Sequence, residues 1–138
     1  MKPMNDKVFL DSNILIYSYS RNDMEKQSVA RKLITECNSY ISTQVLQELT
    51  NIINRKFNFS FTDAQKAIEE CCRNNNLHIN TEETILQACN IAQSYGFSFY
   101  DSLIISSALE CGCSTLYSED MQHTQKIGQN LVVINPFR

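Results

Sequence analysis

Residues 7–20 read KVFLDSNILIYSYS. Val8, Phe9 and Leu10 form the apolar end of a strand, and Asp11 stops it. Ile14, Leu15 and Tyr19 then recur with helical spacing. Asp is a preferred helix cap, and Asp11 read alone needs no other explanation. A carboxylate wedged between two apolar runs is nevertheless poorly placed for a surface residue. It lies just past the C-terminal end of a predicted strand, the edge of an open parallel sheet where ligands bind.

The rest of the chain continues the alternation. A second helix spans 22–37, capped by Asp23 and striped by Val29, Leu33 and Ile34. A brief strand at 40–42 leads to a helix over 44–57, capped by Thr43, with Val45, Leu46, Leu49, Ile52 and Ile53 on its apolar face. Thr62-x-x-Gln65 and Asn80-x-x-Glu83 read as capping boxes for two further helices, the second stopping at Gly96. A strand at 77–79 lies between them. A helix over 100–112 ends on Gly112, and strands follow at 114–118 and 131–135. The prediction is one α/β domain over residues 1–138, Rossmann-like, with a mainly parallel central sheet and helices on both faces.

Composition narrows the function classes. Hydrophobic residues make up 43% and charged residues 20%, an ordinary globular balance. The N-terminus has neither a long apolar stretch nor a small-residue cleavage site, which predicts a cytoplasmic protein that does not enter a membrane. The six cysteines do not form a disulfide ladder and read as buried thiols. No Cys-x-x-Cys pair joins His78 or His123, which argues against zinc. The net charge of −3 runs against nucleic-acid binding until the placement of the acids is considered.

Four carboxylates carry that argument. Asp11 and Asp120 each follow a strand, and Asp101 opens a helix whose N-terminus favours an anion. Glu48 shares a helical face with Val45 and Ile52, a face that must pack inward, and no Lys or Arg lies three or four residues away. Each has an ordinary reading as a cap, a solvated loop acid or the edge of a stripe. Together they place three acids on one sheet edge and a fourth aimed at the core. Converging carboxylates require a cation, and their oxygens suit Mg²⁺ or Mn²⁺. A water on such a cation has a lowered pKa and can attack a phosphodiester. Without those four acids the remainder of the chain carries a slight positive excess, which need not repel a polyanion.

The segments FLDSNILIY, STQVLQELTNII, FYDSLIISSAL and TLYSEDMQH, in this order and spacing, resemble the PIN domain nucleases, and within them the VapC-type ribonuclease toxins. The resemblance covers nearly the whole chain. It implies a PIN-like three-layer fold and a Mg²⁺- or Mn²⁺-dependent ribonuclease. It implies that Asp11, Glu48, Asp101 and Asp120 are catalytic metal ligands, supported by Asn13 and by Ser118, which stands where the family often has Thr. It also implies a homodimer and a small antitoxin partner. Phe57, Phe59 and Phe61 alternate between two helices. At least one is expected to cap the core, and the others to line a groove for a segment of that antitoxin. Arg21, Lys26, Arg55 and Lys56 are candidate phosphate contacts on an RNA substrate.

Other readings compete. A housekeeping RNA-processing PIN nuclease is one, though such proteins often carry extra domains. An aspartyl-phosphate phosphatase needs a second acid where this chain has Asn13. A nucleotide-binding module without catalysis needs a glycine-rich turn, and Gly96, Gly112 and Gly128 are isolated.

Overall fold

A computed structural model describes residues 6–138. In chain order the elements are β1 (Lys7–Leu10), α1 (Ser12–Tyr19), α2 (Met24–Glu36), β2 (Asn38–Ser42), α3 (Thr43–Lys56), α4 (Phe61–Asn74), β3 (Asn76–His78), α5 (Glu82–Tyr95), α6 (Phe99–Glu110), β4 (Thr115–Tyr117), β5 (Lys126–Ile127) and β6 (Leu131–Ile134). The sheet order is β3-β2-β1-β4-β6-β5. Every pairing is parallel except β5 with β6. The short β5 hairpin partner was not expected, since two residues carry no periodicity to read.

The expected α/β architecture is therefore present. Helices α1 to α4 pack in series, α1 on α2 and α3 and then α3 on α4, while α5 and α6 pack against each other. Right-handed crossovers put the first group on one face of the sheet and the α5–α6 pair on the other. Phe9, Ile41, Leu116 and Val133 lie on four adjacent strands and are fully buried. Ile14, Val45, Leu49, Ile53, Ile104 and Ile105 complete the core from the helices. Helix α6 is buried from Ser102 to Ala108, apolar or small on every side, as suits a helix enclosed by the fold. No helix among the described residues is long and apolar enough to cross a membrane.

Four helix starts differ from the sequence reading; α6 begins at Phe99 with Ser98 as its cap, so Asp101 lies within its first turn rather than opening it. Helix α3 is capped by Ser42, not Thr43, whose hydroxyl instead accepts from the Asn80 N–H. Helix α4 is capped by Ser60, ahead of the expected Thr62 box. Helix α5 has a capping box formed by Thr81 and Thr84, because the Asn80 amide oxygen is taken by the Ser107 hydroxyl. Adjacent polar side chains compete for the same backbone donors, and for α3 and α5 a tertiary partner engages the one that loses. Helix α2 turns Gln27 and Ala30 inward, leaving Val29, Leu33 and Ile34 only half-buried. The cysteines also divide: Cys71 and Cys113 are buried, but Cys72 and Cys89 are exposed on the outer faces of their helices.

Leu116 pairs with Phe9 on one side and Val133 on the other at the centre of the sheet. Leu116→Ala leaves a cavity between strands that cannot close over it, and should destabilise the fold by about 2–5 kcal/mol in denaturant unfolding.

Candidate active site

The strand order makes β1 the pivot of the sheet. The chain runs outward through β2 and β3, then returns to place β4 on the other side of β1. The crevice at the C-terminal ends of β1 and β4 is thus a topological switch point, where open α/β sheets bind ligands. Asp11 leaves β1 there, with its N–H bonded to the Tyr117 carbonyl of β4 at 3.0 Å. Ser118 to Asp120 leave β4 beside it.

Asp11 is only 5% exposed. Its Oδ1 accepts from the Ser12 N–H at 2.7 Å, so it is the α1 cap that the sequence suggested. Its Oδ2 accepts from the Ser118 hydroxyl at 2.8 Å. The Ser12 hydroxyl lies 3.4 Å from Asp11 Oδ1 and donates to Glu48 Oε2 at 2.9 Å, linking the two acids. The other oxygen of Glu48 accepts from Gln44 Nε2 at 2.8 Å. Asp120 receives the Asn13 amide at 3.2 Å, and its own N–H donates to the Ser118 hydroxyl at 3.3 Å. Asn13 Oδ1 in turn accepts from the Glu119 N–H.

Asp11, Glu48 and Asp120 therefore belong to one hydrogen-bonded set, with Asn13 and Ser118 in supporting contact. Asp101 stands in the first turn of α6, beside Tyr100, whose carbonyl accepts from Gln44 at 3.2 Å. No hydrogen bond among the described residues joins its carboxylate to the other three. Glu48 does not point into the apolar core as the stripe suggested. It is half-buried at the rim of its helix, facing Ser12 across the crevice. Ser12 and Gln44 are contacts the sequence reading did not assign. Gln44 lies four residues before Glu48, where a lysine or arginine could have paired with it, and its amide supplies a neutral donor there.

Burial pushes the Asp11 carboxyl up to about 6, against the lowering effect of the Ser118 and Ser12 hydrogen bonds. The nearby Glu48 and Asp120 charges push it further in the same direction. No Lys or Arg among the described residues forms an ion pair with any of the four acids. Lys26, a candidate phosphate contact, is committed elsewhere: it pairs with Glu119 and lies over the Tyr17 and Phe137 rings. This cluster anchors the Ser118–Asp120 segment to α1 and α2.

The donor set fits a hard cation in kind. It is all oxygen, uncompensated, and each carboxylate keeps acceptor capacity beyond the bonds described. No group of three or more His, Cys, Asp or Glu side chains among the described residues is drawn together tightly enough to be a preassembled metal centre. Hydroxyls and amides stand between the anions instead.

The three phenylalanines do not share a groove. Phe57 and Phe59 are half-buried and line a recess of about 280 Å³ with Tyr19, Arg21, Asn22 and Lys56. Phe61 is 67% exposed and lines a separate recess with Leu46, Thr50 and Ile68. Asn58, with φ of 60°, turns the chain between Phe57 and Phe59, and Phe61 follows the Ser60 cap as the first residue of α4.

The raised Asp11 value gives a pH-dependent test. The folded state binds this proton more tightly than the unfolded chain, whose ordinary value is 3.8. The resulting contribution favours folding below pH 4 and is lost as pH rises through about 6. Asp11→Asn removes that loss. In the metal-free protein it should raise the unfolding free energy at pH 7 by up to about 3 kcal/mol, with the gain gone at about pH 3.5. Denaturant titrations at the two pH values check this, and a destabilised mutant at pH 7 contradicts it.

Comparison with known proteins agrees with the fold and extends it. The PIN domain family profile matches residues 8–127. No curated protein sequence matches the chain significantly. Among solved structures, VapC20 from Mycobacterium tuberculosis, described as a sarcin–ricin loop cleaving toxin, is 18% identical with a TM-score of 0.67, covering 82% of this chain and 89% of that one. A toxin–antitoxin complex from Klebsiella pneumoniae is 16% identical with a TM-score of 0.70, covering 94% and 97%. VapBC2 from Rickettsia felis, bound to a DNA fragment from its promoter, is 17% identical with a TM-score of 0.65, covering 92% and 96%. At these identities the structural matches speak for the fold alone, but the family profile spans most of the chain. The chain belongs to the PIN domain family.

Proposed function

We propose that this protein is a Mg²⁺- or Mn²⁺-dependent endoribonuclease acting in the cytoplasm as the toxin of a toxin–antitoxin pair. The observation that carries the reading is the uncompensated acidic set at the β1–β4 switch point of a PIN domain, with Asp11 at its centre. The similar folds from toxin–antitoxin systems, one described as cleaving the sarcin–ricin loop, support the choice of RNA and of an antitoxin partner.

On this reading Asp11, Glu48, Asp101 and Asp120 are the catalytic acids and hold the cation. A bound Mg²⁺ or Mn²⁺ supplies charge neutralisation and a water acidic enough to be deprotonated near neutral pH. The chain's own residues do the positioning. Ser118 and the Ser12 N–H fix both oxygens of Asp11. Ser12 and Gln44 fix both oxygens of Glu48. Asn13 holds Asp120 and the backbone before it, so that the β4 loop keeps its place against α1. Asp101 stands in the first turn of α6, which Gln44 links to α3 through the Tyr100 carbonyl. Arg21 and Lys56 offer phosphate contacts beside Phe57 and Phe59, where an unpaired base can stack. The antitoxin covers part of this helical face, and the active form is a homodimer.

The purified chain should cleave single-stranded or looped RNA in Mg²⁺ or Mn²⁺ and lose activity in excess EDTA. Asp11→Asn should abolish cleavage while the fold stays intact by circular dichroism. Asn13→Ala and Ser118→Ala should lower the rate roughly 10- to 100-fold, as residues that orient ligands do. Undiminished cleavage in EDTA, or by the Asp11→Asn protein, refutes the mechanism.

A further inference from the structure

Gln44 is 5% exposed and spans two elements of the site. It lies in the first turn of α3, four residues before Glu48, so the two side chains share one face of the helix. Its Nε2 donates to Glu48 Oε1 at 2.8 Å and to the Tyr100 carbonyl at 3.2 Å. Both neighbours are acceptors only, so the nitrogen and not the oxygen must face them, and the amide orientation follows from that chemistry. Its Oε1 is then left buried with no hydrogen-bond partner among the described residues. A buried acceptor without a donor is unfavourable, and an apolar side chain of equal length would avoid it. What the amide offers beyond a methionine is confined to the two bonds made by its nitrogen. The use of this amide lies in the two groups it grips.

We propose that Gln44 is a positioning residue, whose amide fixes the Glu48 carboxylate and ties it to the first turn of α6, next to Asp101. The proposal rests on the nuclease reading above for its catalytic consequence. Glu48 Oε2 is already held by Ser12. With Oε1 held by Gln44, the carboxylate plane can neither rotate nor swing out to solvent. The same nitrogen also bonds the Tyr100 carbonyl, and so links α3 to the turn of α6 that bears Asp101.

Two variants of the full chain test this. Gln44→Met keeps the length and packing but has no donor. Gln44→Glu keeps the shape and replaces the donor with a like charge beside Glu48. Three readouts are needed: the Glu48 side-chain carboxyl ¹³C resonance and the thermal midpoint, both in metal-free protein, and kcat and KM for RNA cleavage in Mn²⁺. In Gln44→Met the Glu48 resonance should shift and the midpoint should hold or rise. The kcat should fall roughly 10- to 100-fold with KM for RNA unchanged. Gln44→Glu should lose at least as much. A Glu48 resonance that stays in place, or a wild-type kcat in Gln44→Met, overturns the proposal. So does a loss of activity that merely tracks a lowered midpoint, which would assign Gln44 to stability. A wild-type protein that cleaves no RNA refutes the nuclease reading instead, while the metal-free Glu48 resonance still decides whether Gln44 sets that side chain.

Discussion

The buried carboxylate of Asp11 is the constraint around which the rest of this structure is arranged. A carboxylate taken out of water needs hydrogen bonds or a counter-charge. Asp11 has the first and lacks the second. Its two oxygens are satisfied by the first N–H of α1 and by the hydroxyl of Ser118, which arrives from β4 more than a hundred residues later. That pair of bonds locks the start of the first helix to the end of the fourth strand. It also fixes the crevice at which the sheet reverses direction.

The neighbouring acids follow from the same geometry. Helix α3 starts immediately after β2, the strand beside β1, so Glu48 reaches the crevice from its second turn. The loop after β4 carries Asp120 to the other side. What keeps these anions near one another is a series of neutral donors: the Ser12 hydroxyl between Asp11 and Glu48, the Ser118 hydroxyl between Asp11 and the Asp120 backbone, and the Asn13 amide on Asp120. Neutral donors soften repulsion without cancelling charge. The edge therefore stays negative, whereas a lysine in the same place would have neutralised it. Lys26 is close by but is held by Glu119, one residue before Asp120, where it steadies the loop without neutralising the acids.

Much of this was legible before the structure. The alternation of apolar runs gave the strands and helices in their order, because periodicity reports which face is buried. Asp11 stood out because an acid between two apolar runs has few places to go. The caps were less legible. Ser42, Ser60 and Thr81 lie within one or two residues of the expected caps, and the choice between adjacent hydroxyls depends on distant partners such as Asn80 and Ser107. The stripe of α3 placed Glu48 on the inner side but could not separate the core from the rim of a crevice. The roles of Ser12 and Gln44 were hidden for a different reason: each acts across elements, through a contact that helical spacing alone does not specify. The alternating phenylalanines look continuous in sequence, but Phe57 and Phe59 precede the Ser60 cap, while Phe61 is the first residue of α4 and faces another surface.

On the proposed reading, the charge left uncompensated at Asp11 is there for a divalent cation. Anomalous diffraction at the manganese edge, from crystals of the unmutated chain grown with Mn²⁺, tests it most directly. An anomalous peak is expected against the Asp11 carboxylate, at the C-terminal ends of β1 and β4. A peak only elsewhere on the molecule, or none at saturating Mn²⁺, would contradict it.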